Sequence, residues 1–231
     1  MYFLAPWRLI RFFKINRLEW LPIKGMRVYP PSHPVQPIMT TKLIFFCGHS
    51  GSGKTTTAKR LLTLLRSQRS DSFAFLDKDT LYGEYSCAVM GLLTGDPDDR
   101  DSPTYLNHLR QPEYDGLIHT AREQLQFGTH TFVIGPLSRE VKDKRLFDRN
   151  YLRVGDDVEI RVVWVHIDED LAHQRIAARA DHRDAYKLTH WDDYRTRRFF
   201  PAPADYPELI YFDNTAPTAL DFTQLAQRLM Q

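Results

Sequence analysis

Cysteine is nearly absent: Cys47 and Cys87 are the only two in 231 residues. Two thiols forty residues apart make neither a disulfide framework nor a C-x-x-C zinc knuckle, so the expected compartment is a reducing cytoplasm. Nine histidines fall into no H-E-x-x-H or similar pattern, which argues against a zinc site. No apolar run approaches the roughly 18–20 residues that a membrane-crossing helix requires. Neither sign of charge dominates, since 31 Lys and Arg face 29 Asp and Glu for a net +2. Bulk attraction to a polyanion such as nucleic acid is therefore not expected. Glycine is also sparse, with 11 residues, yet three of them fall within the eight positions Gly48–Thr55. Such local spending on backbone freedom needs a reason.

The charge balance hides a division. Residues 1–38 hold Arg8, Arg11, Lys14, Arg17, Lys24 and Arg27 against the single acid Glu19, a net +5, leaving about −3 for the remainder. Aromatic and basic residues mix in "MYFLAPWRLIRFFKINRLEW", and four prolines in "YPPSHPVQP" then interrupt any regular element. We read residues 1–38 as a basic, proline-marked extension, either a disordered leader, an upstream artefact of the reading frame or a basic amphipathic helix at a membrane surface. Residues 39–231 read as one domain. There, short β-branched or aromatic runs (42–47, 72–76, 130–135, 160–167 and 209–212) alternate with longer stretches at helical spacing. Ala58, Leu61, Leu64 and Leu65 are the expected buried stripe of the first helix. Apolar strands separated by helices predict an α/β fold, a parallel sheet covered on both faces.

Directly after the first strand, "GHSGSGKT" fits G-x-x-x-x-G-K-[ST]. In this strand-to-helix setting the pattern is a phosphate loop. Glycines let Gly48, His49, Ser50, Gly51, Ser52 and Gly53 curl so that their N–H groups face phosphate oxygens. The helix beginning at Lys54 adds the positive end of its dipole, with Thr56 in its first turn. Lys54 reaches the β- and γ-phosphates and the Thr55 hydroxyl ligates Mg²⁺. The expected ligand is Mg·ATP. A phosphate loop names a nucleotide but no reaction.

The second strand runs into "LDKDTL", placing Asp77 and Asp79 on the rim where open α/β sheets bind ligands. An extended D-x-D would turn both carboxylates to one side, Asp79 to take a proton from an acceptor hydroxyl and Asp77 to orient the metal or its water. The bland alternative is that Asp79 caps the following helix. Together, "FCGHSGSGKTT" and "LDKDTL" resemble the P-loop kinases grouped with zeta toxins, chloramphenicol phosphotransferase and the kinase half of polynucleotide kinase. That resemblance covers roughly residues 42–215. It implies a three-layer P-loop core with five parallel strands in the order 2-3-1-4-5, an arginine-rich lid, and an acceptor-activating carboxylate at Asp79. Several relatives carry a substrate-gripping arginine three residues later, where this chain has Tyr82. The departure weakens a nucleotide or nucleic-acid 5′-end as acceptor.

Further along, "LAHQRIAARADHRDAYKLTHWDDYRTRRF" brings Arg175 and Arg179 onto one helical face, with Arg183 following. In the resembling kinases such arginines close a lid over ATP; the bland reading is a solvated basic face. Asn214, in "YFDNTAP" after the last strand, falls where relatives pack adenine and is equally an ordinary turn residue. The run after the third strand, "FVIGPLSRE", lacks a Walker B acid, and no N-K-x-D guanine signature occurs. The sequence thus points to transfer of the γ-phosphate to a hydroxyl of a small molecule. The rival readings are an ATPase or nucleotide-dependent switch, and a nucleic-acid end kinase.

Overall fold

The computed structural model describes residues 40–181, 184–196 and 198–231. The expected extension at 1–38 and Arg183 lie outside the described residues. Five strands form the sheet: β1 (Thr41–Cys47), β2 (Phe73–Asp77), β3 (His130–Ile134), β4 (Val158–His166) and β5 (Ile210–Asp213). All neighbouring pairs are parallel and the order is β2-β3-β1-β4-β5. This is the arrangement that the resemblance implied.

Alternation along β1 sorts the core. Leu43, Phe45 and Cys47 face one layer, which includes Tyr114, Leu117 and Ala121 of α4 (Arg110–Gln126). Ile44 and Phe46 face the other, packed with Ala58, Leu61 and Leu65 of α1 (Lys54–Gln68) and Phe222, Leu225 and Leu229 of α10 (Ala219–Met230). A strand buried on both sides must be apolar at every position, which is what "LIFFC" supplies. Leu64, expected in the α1 stripe, is only partly buried.

Helix α2 (Lys78–Thr94) follows β2 without a loop, and α3 (Pro103–His108) leads into α4. The sequence reads 104–127 as one helix; the chain instead breaks at Leu109, just before Pro112 enters the first turn of α4. After β3 come α5 (Ser138–Lys142), a single 3₁₀ turn (Arg145–Phe147) and α6 (Arg149–Leu152). Between β4 and β5 lie α7 (Glu169–Arg179), α8 (Ala185–Thr189) and α9 (Trp191–Thr196). Register aligns the strand ends: Cys47 pairs with Trp164, Asp77 with Ile134, and His166 with Asp213. One rim therefore gathers the phosphate loop, Asp77 and Asn214.

Candidate nucleotide and acceptor site

Gly48 has φ 141° and a side chain there would strike the Val165 carbonyl, so β1 can leave the sheet only through glycine. Gly53, at φ 83°, precedes α1 in the left-handed region, and a Cβ would collide with the Asn214 amide. No side chain caps α1 and its first turn holds no acid. Its leading N–H groups are thus left for an anion. Thr56 is exposed in that first turn. Asn214 Nδ2 donates to the Ser52 carbonyl at 2.8 Å, and Arg175 Nη2 donates to the Asn214 carbonyl at 3.2 Å. Arg175 and Asn214 therefore brace the loop from the β5 side, nearly forty residues apart in sequence.

Lys54 Nζ donates to the His49 carbonyl at 2.8 Å, arching over the loop. Burial pushes its pKa down to about 8, against the opposing pull of Asp79, Cys47 and Asp77 and with a further push from Arg179. These contributions put Asp79, Asp77 and Arg179 within electrostatic range of the loop lysine. The His49 ring packs against β4 and the segment after α9: Nε2 donates to the Phe199 carbonyl, and the ring lies 5.4 Å from Trp164 and 5.2 Å from Phe200. Burial holds His49 down to about 4, so it is neutral near pH 7.

Thr55 Oγ1 donates to Asp77 Oδ2 at 2.7 Å. The other carboxylate oxygen of Asp77 accepts from the N–H of Asp79 at 2.9 Å and of Thr80 at 3.4 Å. Asp77, not Asp79, is consequently the cap of α2. The extended D-x-D expected from the sequence is corrected here: β2 ends at Asp77 and the helix begins at once, so Asp79 occupies its first turn. Its side chain is 63% exposed and Lys78 Nζ approaches its Oδ1 at 3.4 Å. Lys78 also holds buried Glu113 at 2.9 Å. Desolvation opposes the Lys78 charge, but Tyr114, Asp79 and Glu113 outweigh it and hold its pKa above the ordinary value.

Of the arginines expected in a lid, Arg179 is engaged with Asp184, its Nε donating to Oδ2 at 3.0 Å. Lys187 takes the other oxygen of that buried carboxylate at 2.9 Å. One arginine was missed in the sequence. Arg198 has a side chain only 4% exposed, lies 4.8 Å from the Phe200 ring, and has Nε and Nη1 buried without hydrogen-bond partners among the described residues. Glu169 stands 4.0 Å away, beyond hydrogen-bond range. "RTRRF" carried the residue, but nothing local distinguishes Arg198 from its basic neighbours.

Residues 43–201 match a protein family described as AAA domain. The chain belongs to this family. Solved structures of similar fold include a candidate kinase from Chloroflexus aurantiacus, 20% identical with TM-score 0.51, over 83% of this chain and 98% of that one. A sugar kinase from Janibacter sp. is 20% identical with TM-score 0.50, over 82% and 91%. The protein APE1195 is 18% identical with TM-score 0.55, over 83% and 96%. At these identities the likeness concerns the fold. No curated protein matches. The P-loop nucleotide-binding fold of this AAA domain thus rests on sequence family, topology and loop geometry together. No helix among the described residues is long and apolar enough to cross a membrane.

Proposed function

We propose that this AAA domain is a Mg·ATP-dependent phosphotransferase acting on a hydroxyl of a small molecule. The observation that carries the reading is the placement of Asp79: a solvent-facing carboxylate on the rim, two residues from the Thr55–Asp77 pair and within electrostatic range of Lys54. A base needs access to its substrate, and this one has it.

The residues suit a magnesium ion. Because Thr55 donates its proton to Asp77, the lone pairs of its hydroxyl are left for a hard cation, and Asp77 stands behind as partner for coordinated water. Held there, such an ion would supply charge neutralisation to the phosphates. The loop N–H groups and Lys54 hold the phosphates, while Arg175 and Asn214 keep the loop curled. Asp79 takes the acceptor proton as the acceptor oxygen bonds to the γ-phosphorus; the bond to the β-bridging oxygen breaks and ADP leaves. Arg179 and Arg198 offer positive charge to the phosphoryl oxygens. The buried Arg198 guanidinium has Glu169 only at 4.0 Å and leaves Nε and Nη1 without hydrogen bonds among the described residues, so a closer anion would relieve its burial, which supports this role.

The test is transfer from γ-labelled ATP to a panel of sugars, nucleosides, antibiotics and polyols, with Lys54→Ala as the blank. Transfer abolished by Asp79→Ala upholds the reading. ATP turnover that needs no acceptor, and is indifferent to Asp79→Ala, replaces it with the ATPase or switch reading. Labelling of oligonucleotide 5′-ends in preference to small molecules would replace it with the end-kinase reading.

A further inference from the structure

Starting one turn along α2 from Asp79, the molecule has a concavity of about 650 Å³ between α2 and the α3–α4 corner. Its α2 wall is Tyr82, Tyr85, Val89 and Leu93, residues three or four apart and so on one helical face. Asp79 begins that same face, one turn before Tyr82. Opposite stand Leu109 and Pro112, with Thr104 and His108 at the edge and Glu113 on the floor. The volume lies within the range of drug-sized ligand sites. Tyr85 is 66% and Leu93 58% exposed, so this apolar wall faces solvent.

Charge narrows the occupant. Among the described residues, no lysine or arginine lines the cavity. The cations nearby are committed: Lys78 to Glu113 and Asp79, Arg110 as a two-pronged fork to buried Glu140 at 3.0 Å, and Arg100 to the Gly83 and Pro97 carbonyls and the Cys87 sulfur. Glu113 already accepts from Lys78, Ser86 and Tyr105 and brings no positive charge. A phosphate or carboxylate placed here would shed its water and meet no lysine or arginine, with only the exposed His108 imidazole at the edge as a partner. Tyr82 cannot supply one either; its hydroxyl rests against the α4 backbone at Gly116.

We infer that the α2/α3–α4 cavity is the acceptor subsite, and that it takes an uncharged molecule combining an aromatic or other apolar body with an alcohol. The body lies on Tyr85, Val89 and Leu93, and the hydroxyl is presented toward Asp79. This rests on the phosphotransferase reading for the fate of the hydroxyl, but the binding site stands independently of it. Continuity supplies the link: Lys78 bridges the Glu113 floor of the cavity to the Asp79 carboxylate.

The experiment uses the full chain and uncharged aryl glycosides and aryl diols as probes. Each is paired with its carboxylate-bearing analogue and with the parent sugar or polyol. Binding is read by ligand-observed NMR and calorimetry, and transfer separately with γ-labelled ATP. Neutral aryl members are expected to bind at least tenfold tighter than both partners. Leu93→Lys and Tyr85→Ala should each reduce that binding at least fivefold. Leu92→Lys, on a neighbouring residue that is 88% exposed and outside the cavity lining, should leave it within twofold. Absence of binding by every neutral aryl probe, a preference for anionic members, or binding unchanged in Leu93→Lys and Tyr85→Ala overturns the inference. Binding with these preferences but no phosphate transfer upholds the cavity and defeats the kinase reading. Transfer to acceptors without dependence on the aryl group does the reverse.

Discussion

The nucleotide site depends on side chains whose charge is set by burial. Lys54, lowered to about 8, is the group whose ammonium must meet the phosphates. Nucleotide affinity is therefore expected to hold up to about pH 7 and to fall by about tenfold by pH 9, as the free protein loses that proton. Calorimetry across this range checks it, and Lys54→Met should flatten the profile while weakening binding at every pH. Asp77 has two tasks, capping α2 and holding Thr55. Asp77→Ala should cost about 1 kcal/mol of stability for the lost cap and raise the magnesium requirement, whereas Asp79→Ala should leave stability nearly unchanged and abolish transfer. Denaturant titration and magnesium titration of transfer distinguish the two carboxylates. Their settings differ because the helix starts between them.

At the scale of elements, what matters is how one segment closes upon another. The loop before α1 fits because Gly53 leaves room for Asn214, which reaches across from the end of β5 to the Ser52 carbonyl. Gly53→Ala, strained at φ 83° and pushed against Asn214, is expected to lower nucleotide affinity by well over tenfold while the sheet stays folded, as circular dichroism with calorimetry would report. The other seam joins α2 to α4, where Gly116 leaves room for the Tyr82 hydroxyl. A methyl group there displaces Tyr82, so Gly116→Ala should change acceptor KM more than nucleotide KM. The segment after α9 closes the opposite side through Arg198 and through the Phe199 carbonyl on His49. Arg198→Gln is expected to reduce phosphoryl transfer at least tenfold. If its rate and its nucleotide affinity match the native chain, the buried guanidinium plays no part in the chemistry.

For the molecule as a whole, His49 joins the loop to the packing around Trp164 and Phe199, and its partly buried ring is neutral near pH 7. The unfolded chain binds a proton at that histidine below about pH 6.5, while the folded chain resists it until about 4. Its contribution is thus complete above pH 6.5 and is lost as pH falls from there toward 4, by on the order of 3 kcal/mol at most. Thermal unfolding from pH 7 to 4 tests this, and His49→Gln should shallow the decline. The sequence by itself determined the phosphate loop, the five strands to within two residues, and the parallel class, because each depends on local pattern: glycine spacing before a G-K-T, and apolar runs that need burial on both faces. It also placed Asp77 and Asp79 on the rim but mistook their geometry, since nothing in "LDKDTL" says whether the backbone stays extended or coils. Tertiary structure alone decided that Asp77 caps and holds Thr55, that Asn214 and Arg175 brace the loop, that Arg198 is buried with Glu169 only at 4.0 Å, and that a cavity lined by no described lysine or arginine opens one turn along α2 from Asp79. Those facts arise from contacts between residues tens of positions apart, and their energies depend on burial and distance, which exist only once the chain has closed on itself.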